Sequence, residues 1–402
     1  MVLKKKGTFD IHTTNIENYE NVLLYLTYPI MFSMVIFLIS FFSTFLFILA
    51  IIRFNYMHIH ITGDNDLNGP QKFHFYTTPR IGGLGIYLGL WAGGLATFFK
   101  DANSAKLIFL LLTCALSVFI AGFVEDITKK VSLKTRFFAG LASGALLVFI
   151  FNINSIRLDI WGLDDIVAIP LITFLFLSFA CCGLSNAYNI IDGFNGLSSM
   201  VGIISTTAIA YVAFKVSDIF LLNFSLILIG STLGFFIWNY PKGHIFLGDC
   251  GAYLIGFINA ALCILLIYRN QAVSPWFAIL VNAYPIFETL FTIWRRTVHQ
   301  GKNPALPDGA HFHTLIYRRI MRWINSNSIK QDNSYIGNAK TSPFLWLISS
   351  LGVIPSVIFW NNTLLLVLST IFFVTGYIQI YRKIVRFNTP YWLKFKRENK
   401  LK

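Results

Sequence analysis

Residues 251–268 read GAYLIGFINAALCILLIY, eighteen positions without a single charged side chain. A run of this length and polarity is long enough to cross the hydrocarbon of a bilayer as one helix, the only open-chain conformation that satisfies its own backbone hydrogen bonds there. Runs of the same kind recur on both sides. Eleven spans are predicted, at 25–53, 81–99, 105–123, 135–152, 166–184, 197–214, 219–238, 251–268, 276–294, 344–360 and 363–381. Pro170 lies near the start of the fifth, and only Asn361-Asn362, a tight hairpin, separates the last two. The expected fold is therefore all-α: a polytopic membrane protein of about eleven transmembrane helices, with 1–402 forming a single integral membrane domain.

Composition supports this. Apolar residues make up 55% of the chain and charged residues only 12%, which a water-soluble fold of this size could not accommodate on its surface. The net charge of +14 is not a nucleic-acid footprint, because the basic residues sit in short clusters between apolar runs. About three quarters of the 32 Lys and Arg fall on one set of alternate loops, which the positive-inside rule places in the cytoplasm. That set includes Arg53, Lys72 and Arg80, then Lys129, Lys130, Lys134 and Arg136, then Lys242. It also includes a long loop over 296–343 and a basic tail over 382–402. Lys4, Lys5 and Lys6 pull the other way. A short amphipathic helix is expected near 311–325. The five Cys form neither a CxxC pair nor a zinc-like set, and four lie in or beside apolar runs, where a thiol behaves as a small hydrophobe. No removable signal peptide is expected, the first apolar run being long enough to stay as a span.

Five polar motifs interrupt this pattern, all on the side assigned to the cytoplasm. In Pro79-Arg80-Ile81-Gly82-Gly83-Leu84-Gly85 the glycines open a helix mouth, either to hold phosphate on free N–H groups or to let helices pack closely. Glu125-Asp126 ends a helix where the dipole favours cations, so its two acids point to metal, proton or phosphate chemistry, or to a solvated cap. Asn186, Asn189, Asp192 and Asn195, with Gly193, place oxygen-bearing groups densely between two apolar runs; such groups suit a uracil edge, a sugar hydroxyl or a hard cation, or serve as polar glue between helices. In His244-Ile245-Phe246-Leu247-Gly248-Asp249-Cys250-Gly251 a carboxylate between glycines leads into a helix, a platform for magnesium and diphosphate, and Phe246 offers a face for a base. Asp308-Gly309-Ala310-His311-Phe312-His313 supplies two imidazoles that suit phosphate hydrogen bonding better than zinc, whose further ligands are not nearby. Glu288, inside the ninth span, is either functional or the structural partner of another helix.

Taken in this order, the five motifs resemble the polyprenyl-phosphate N-acetylhexosamine-1-phosphate transferase family over residues 70–325. Its members include phospho-N-acetylmuramoyl-pentapeptide transferase and the enzymes that start O-antigen, teichoic acid and common-antigen synthesis. The resemblance implies transfer of a sugar-1-phosphate from a UDP-N-acetylhexosamine, or a deoxy derivative, to undecaprenyl phosphate. UMP is released and Mg2+ required, with Mn2+ as the alternative ion. It also implies the inner membrane of a bacterium, a site on the cytoplasmic face, a homodimer as the candidate assembly, and no nucleic-acid partner. Carried over residue by residue, Asp249 resembles the magnesium ligand and Phe246 the aromatic that stacks on uracil. Asn189, Asp192 and Gly193 match the nucleotide loop, Glu125 and Asp126 the acidic pair, and His311 and His313 the histidine motif. Three positions depart from the pattern: Glu125 where Asp is common, Asn195 where a second Asp is common, and Thr314 where a third His is common. These departures resemble the branch that makes O-antigen and capsule precursors.

The reaction implied is phosphoryl transfer between two anions, so cations should supply most of the catalysis. The expected catalytic set is Glu125, Asp126, Asp192, Asp249, His311 and His313. Asp249 is expected to hold the metal, and Arg80, Lys129, Lys130 or Lys134 to neutralise the lipid phosphate. Asp126 or Glu125 would orient that phosphate or accept a proton, with a covalent intermediate at Asp126 as the alternative route. Asn186, Asn189, Gly193, Asn195 and Phe246 are the expected donor-substrate contacts. A transporter of an anionic substrate is the rival, but it would place polar groups at mid-membrane rather than at one set of helix ends. A dead scaffold would have lost Asp192 or Asp249, and both are present.

Overall fold

The computed structural model describes the backbone of residues 11–64, 77–301, 303, 308–327 and 334–386; the side chains of 11–30, 320–327 and 334–337 are not among those described. Lys4, Lys5, Lys6, Lys72 and the tail beyond residue 386 lie outside the described residues. The protein is an all-α polytopic membrane protein. Its helices are α1 (Ile11–Arg53), α2 (Asn55–Thr62), α3 (Gly82–Phe98), α4 (Ala102–Thr128), α5 (Leu133–Ile150), α6 (Leu163–Val167), α7 (Pro170–Ile191) and α8 (Leu197–Lys215). They continue as α9 (Ile219–Asn239), α10 (Gly248–Arg269), α11 (Trp276–Val281), α12 (Ala283–Trp294), α13 (Phe312–Asn327), α14 (Ser334–Ile358) and α15 (Thr363–Val385). A single antiparallel pair, β1 (Gly63–Asp64) with β2 (Thr78–Pro79), is the only sheet among the described residues.

Nine of these helices, among the described residues, are long and apolar enough to cross a membrane, and α3 is a shorter apolar helix. The ninth expected span, 276–294, is broken into α11 and α12 at Asn282. Pro285 explains the break: it has no N–H to give to the carbonyl four residues back, that of Val281. That carbonyl instead accepts from the Ser205 hydroxyl at 2.9 Å, and Tyr188 Oη donates to Asn282 Oδ1 at 3.1 Å. The fifth span begins at Pro170, where a proline is tolerated, and runs on to Ile191. Asn186 and Asn189 therefore ride on the last turns of α7 rather than on a connecting loop. The segment 296–343 is not simply a loop: it contains a π-helical turn (Arg295–His299), all of α13, and the start of α14. The helix expected near 311–325 is α13.

The uncharged stretch 251–268, within α10, is the axis of the bundle. Every residue from Gly248 to Ile267 is buried, and α10 packs against α3, α4, α7 and α8. A helix apolar all round belongs in the interior. The outer helices are half-covered: Leu46 on α1, Phe149 on α5 and Phe372 on α15 are exposed, as suits side chains that meet lipid. The first turn of α10 sits at the bundle end where the motif-bearing connections meet, so whatever fixes that turn fixes the site.

Candidate active site

Three motifs converge on the start of α10. Gly82 and Gly83 donate their N–H groups to the carbonyls of Phe246 (3.0 Å) and Leu247 (2.9 Å), and Phe246 N–H donates to Pro79 O at 2.8 Å. The glycines of the first motif thus serve packing; their amides are engaged by protein and do not present a phosphate cradle. Gly248 has φ +76°, and a Cβ there would lie 2.0 Å from Arg80 O, so both the backbone conformation and the close approach require glycine.

Asp126 closes the junction. Fully buried, its carboxylate accepts from Asp249 N–H at 2.8 Å and Cys250 N–H at 2.9 Å. These are two of the orphan donors at the start of α10, and an anion there is favoured by the helix dipole. The expectation that the helix start holds diphosphate is corrected accordingly: an internal carboxylate already occupies these two amides. Asp126 likewise orients a helix in this structure, which was not the task expected of it.

Asp249 projects from that first turn into a cluster of cations and amides. Its Oδ1 accepts from Arg80 at 3.3 Å and from Asn189 Nδ2 at 3.1 Å, while its Oδ2 pairs with Arg136. Arg80 also lies 3.6 Å from Asp126 Oδ1. Burial alone would lower the Arg80 pKa, but Asp126 and Asp249 outweigh it and hold the guanidinium charged. Asp192, at the C-terminal end of α7, is half-buried, and its carboxylate makes no hydrogen bond to the described residues. Burial and the adjacent Asp249 push its pKa up to about 8, with Arg80 opposing. Among the described residues no three His, Cys, Asp or Glu converge as a metal-binding group.

The histidine motif arrives from the other side. The His313 ring lies against Gly193, where an added Cβ would come within 3.0 Å of Nε2. Burial, then the neighbouring His311, push the His313 pKa down to about 3, so the ring is neutral. Its Nδ1 has no hydrogen-bond partner among the described residues. The His311 ring stacks on it, with centroids 5.1 Å apart. Asp308 pairs with Arg295; that bond and the nearby His311 lower its pKa although burial acts the other way. Thr314, in place of a third His, is wholly buried.

The cluster therefore gathers Arg80, Asp126, Asn189, Asp192 and Asp249, with His313 beside Gly193 and His311 stacked on His313. Other expected residues are engaged elsewhere. Glu125 accepts from Val131 N–H at 2.8 Å, closing the turn after α4. Lys129 donates to Gly63 O at 3.1 Å and lies 4.0 Å from Asp64, tying that turn to the β1–β2 pair. Lys130 and Lys134 are exposed. Asn186 donates to Cys182 O one turn back, at 2.8 Å. Asn195 is buried and donates to Pro241 O at 3.1 Å, while its N–H donates to Asn338 Oδ1, so it ties the α7–α8 connection to the α9–α10 connection and to α14 rather than facing the cluster. Phe246 is half-buried, its backbone pinned on both sides. Arg136 joins the cluster without a motif to mark it: in sequence it is one orienting charge among several, and only its place on the first turns of α5, just past the acidic pair, hints at the contact with Asp249.

Comparison with known proteins gives this geometry its relatives. The model of the family described as Glycosyl transferase family 4 matches residues 108–267. The chain is 30% identical over 260 residues, 62% of its length and 69% of the relative's, to a probable undecaprenyl-phosphate N-acetylglucosaminyl 1-phosphate transferase of Bacillus subtilis strain 168. It is 29% identical to a phospho-N-acetylmuramoyl-pentapeptide-transferase of Streptococcus sanguinis, covering 69% of this chain and 86% of that one. An undecaprenyl-phosphate alpha-N-acetylglucosaminyl 1-phosphate transferase of Thermotoga maritima is 27% identical, covering 63% and 72%. With helices, motif order and relatives in agreement, the chain belongs to glycosyl transferase family 4, the polyprenyl-phosphate hexosamine-1-phosphate transferases.

Proposed function

We propose that this protein transfers an N-acetylhexosamine-1-phosphate, or that of a deoxy derivative, from its UDP-sugar to undecaprenyl phosphate on the cytoplasmic face of a bacterial inner membrane, releasing UMP. The polysaccharide we assign is O-antigen or another surface glycan. The observation that carries the reading is the Asp249 carboxylate held between Arg80 and Arg136, with the unbonded carboxylate of Asp192 beside it.

In the reaction a lipid phosphate oxygen attacks the sugar-bearing phosphorus, and the bond from that phosphorus to the bridging oxygen of UMP breaks. Repulsion between two anions is the main barrier. Arg80 and Arg136 are cations already fixed at the cluster, and in this proposal they exchange Asp249 for diphosphate oxygens when the donor binds. Arg136, with its forked guanidinium, suits two phosphate oxygens at once. Asp126 is engaged on the amides of α10, so we assign it to orientation and take the lipid phosphate itself as the nucleophile, a single displacement. His313, neutral and with Nε2 against Gly193, is assigned one hydrogen bond to the donor's phosphate or sugar.

The donor atoms of Asp249, Asp192 and Asn189 are hard oxygens, the set magnesium prefers when substrate phosphates complete its shell. These residues would hold Mg2+, which when bound would neutralise charge on the diphosphate and leaving group.

The test is direct. Purified full-length protein in lipid nanodiscs is given undecaprenyl phosphate, Mg2+ and radiolabelled UDP-sugars one at a time. A lipid-linked sugar phosphate and stoichiometric UMP are expected. The reading fails if every N-acetylhexosamine donor and its deoxy derivatives stay unconsumed while Asp249→Asn behaves as the parent protein does.

A further inference from the structure

The last helix, α15, reads in sequence as a simple membrane span. In the fold one of its faces, with Thr370, Phe373, Tyr377, Tyr381 and Ile384, is buried, and Leu364, Leu368, Ile371 and Phe372 are exposed. Two tyrosine hydroxyls leave the buried face toward the histidine segment. Tyr381 donates to Ala310 O at 3.0 Å, and Tyr377 donates to Glu288 Oε2 at 2.6 Å. Glu288 is 1% exposed. Its other oxygen accepts from His311 Nδ1 at 3.0 Å and from Phe312 N–H at 3.1 Å.

A carboxylate taken out of water is tolerated only where several donors surround it, and removing one leaves it undersolvated. The arrangement also works in reverse. A fixed carboxylate at Nδ1 decides which ring nitrogen of His311 carries the proton and which way the ring faces. Nε2 is then the atom turned to the rest of the site, with Asp308 4.0 Å away. The chain of contacts continues through the stacked His313 to Gly193 and so to the residue next to it, Asp192.

We propose that Tyr377 and Glu288 are positioning residues for His311, so that α15 is part of the active-site scaffold and not only a membrane anchor. This rests on the transfer reaction proposed above for its kinetic consequences, but not for its structural ones. Tyr377 touches no reacting atom; it holds Glu288, and Glu288 holds the imidazole.

The experiment uses the full-length chain in nanodiscs with Tyr377→Phe, Glu288→Gln and, as a control, Tyr268→Phe, whose hydroxyl donates to Asn152 O on a connection outside the site. Turnover and KM for both substrates, thermal unfolding, and 15N spectra of the imidazoles are recorded, the His311 signal being identified by its loss in His311→Gln. The parent should show His311 with its proton on Nδ1. Tyr377→Phe should lower kcat per folded protein about tenfold, and Glu288→Gln toward a hundredfold, with KM unchanged, only a modest fall in unfolding temperature, and the His311 proton no longer confined to Nδ1. Tyr268→Phe should match the parent. The proposal is overturned if Tyr377→Phe keeps parental turnover and ring spectrum, or if its lost turnover merely follows lost folded protein. Should the parent itself transfer no sugar, the reaction is wrong. The spectra then decide the proposal alone: an unchanged His311 signal in Glu288→Gln ends it.

Discussion

Asp126 caps the helix that carries Asp249, its two oxygens accepting the Asp249 and Cys250 amides at 2.8 and 2.9 Å. One acidic side chain therefore sets the aim of another. Asp126→Asn keeps the shape but turns an NH2 group toward one of those amides. It should lose about 1.5–3 kcal/mol of stability, the range for a hydrogen bond to a charged group, and lower turnover as Asp249 shifts. Asp126→Glu should also lose most turnover, since about 1 Å of misplacement can cost on the order of a hundredfold. Glu125→Asp should retain a substantial part, because Glu125 serves the Val131 turn. Turnover at saturating substrates and thermal unfolding of the three variants check this; equal inactivity of Glu125→Asp and Asp126→Glu contradicts it.

Arg136 should behave as a binding group for the donor's phosphates. Arg136→Ala leaves Asp249 with Arg80 and Asn189 as its remaining partners. Its kcat/KM for UDP-sugar should fall by about 10²–10³, the loss typical of one preorganised donor at a reacting centre. Arg136→Lys should recover only part, since lysine cannot offer two parallel N–H bonds. Steady-state kinetics with both variants decide it, and full recovery by lysine would show that charge alone matters.

Asp249, Asp192, Asn189 and Arg80 could be singled out from sequence because carboxylates, amides and glycines clustered densely between apolar runs are hard to leave unpaired near lipid. What could not be read was which polar atom meets which. Gly82 and Gly83 look the same whether their amides face phosphate or the Phe246 and Leu247 carbonyls, since the partner lies more than 160 residues away. Asn195 has the composition of a ligand-binding residue but is bonded to Pro241 and Asn338. Arg136 looks like an orienting charge and Tyr377 like one aromatic among many in an apolar run, 89 residues from the Glu288 it serves. The break at Asn282 was legible in principle from Pro285, although the apolar run passes through it without interruption.

Gly248 should accept no side chain. With φ +76° and Arg80 O 2.0 Å from the position of a Cβ, Gly248→Ala should destabilise the protein by more than about 1 kcal/mol and abolish turnover by displacing Asp249. Gly183→Ala, at a glycine with nothing near its Cβ position, is the matched control and should be close to neutral. Thermal unfolding of the two in nanodiscs separates them.

Metal affinity should rise with pH. The Asp192 pKa lies near 8, above the ordinary carboxylate value, so the metal-free folded protein holds a proton there that a cation must displace. Below that pKa the apparent affinity for Mn2+ should weaken by about tenfold per pH unit, and above it should level off. The same sign applies to folding: without metal, the raised pKa makes the folded state lose stability as pH rises toward 8, and added Mn2+ should reverse that. Titrations at about pH 6.5 and about pH 8.5 with the parent and Asp192→Asn check both statements. An equal pH dependence in the variant would remove Asp192 from the metal site.

The side of the membrane on which the cluster sits can be tested without any assay of activity. All five native cysteines, Cys114, Cys181, Cys182, Cys250 and Cys263, are buried, so labelling of the intact protein should start from a quiet background. A cysteine introduced at position 303, in the connection between α12 and α13, should react only with maleimides that cross the membrane. One at position 362, in the short turn between α14 and α15, should be blocked by an impermeant reagent added from outside. Arg80, Arg136, Arg295 and the histidine segment all lie at the end of the bundle that the lysine and arginine bias assigns to the cytoplasm, whereas Asn362 lies at the far end of α15 from Tyr377 and Tyr381. The proposed reaction takes its UDP-sugar from the cytoplasm, so it requires a donor site at this end. Labelling of position 303 from outside would invert the whole arrangement and leave Asp249 facing a compartment without donor.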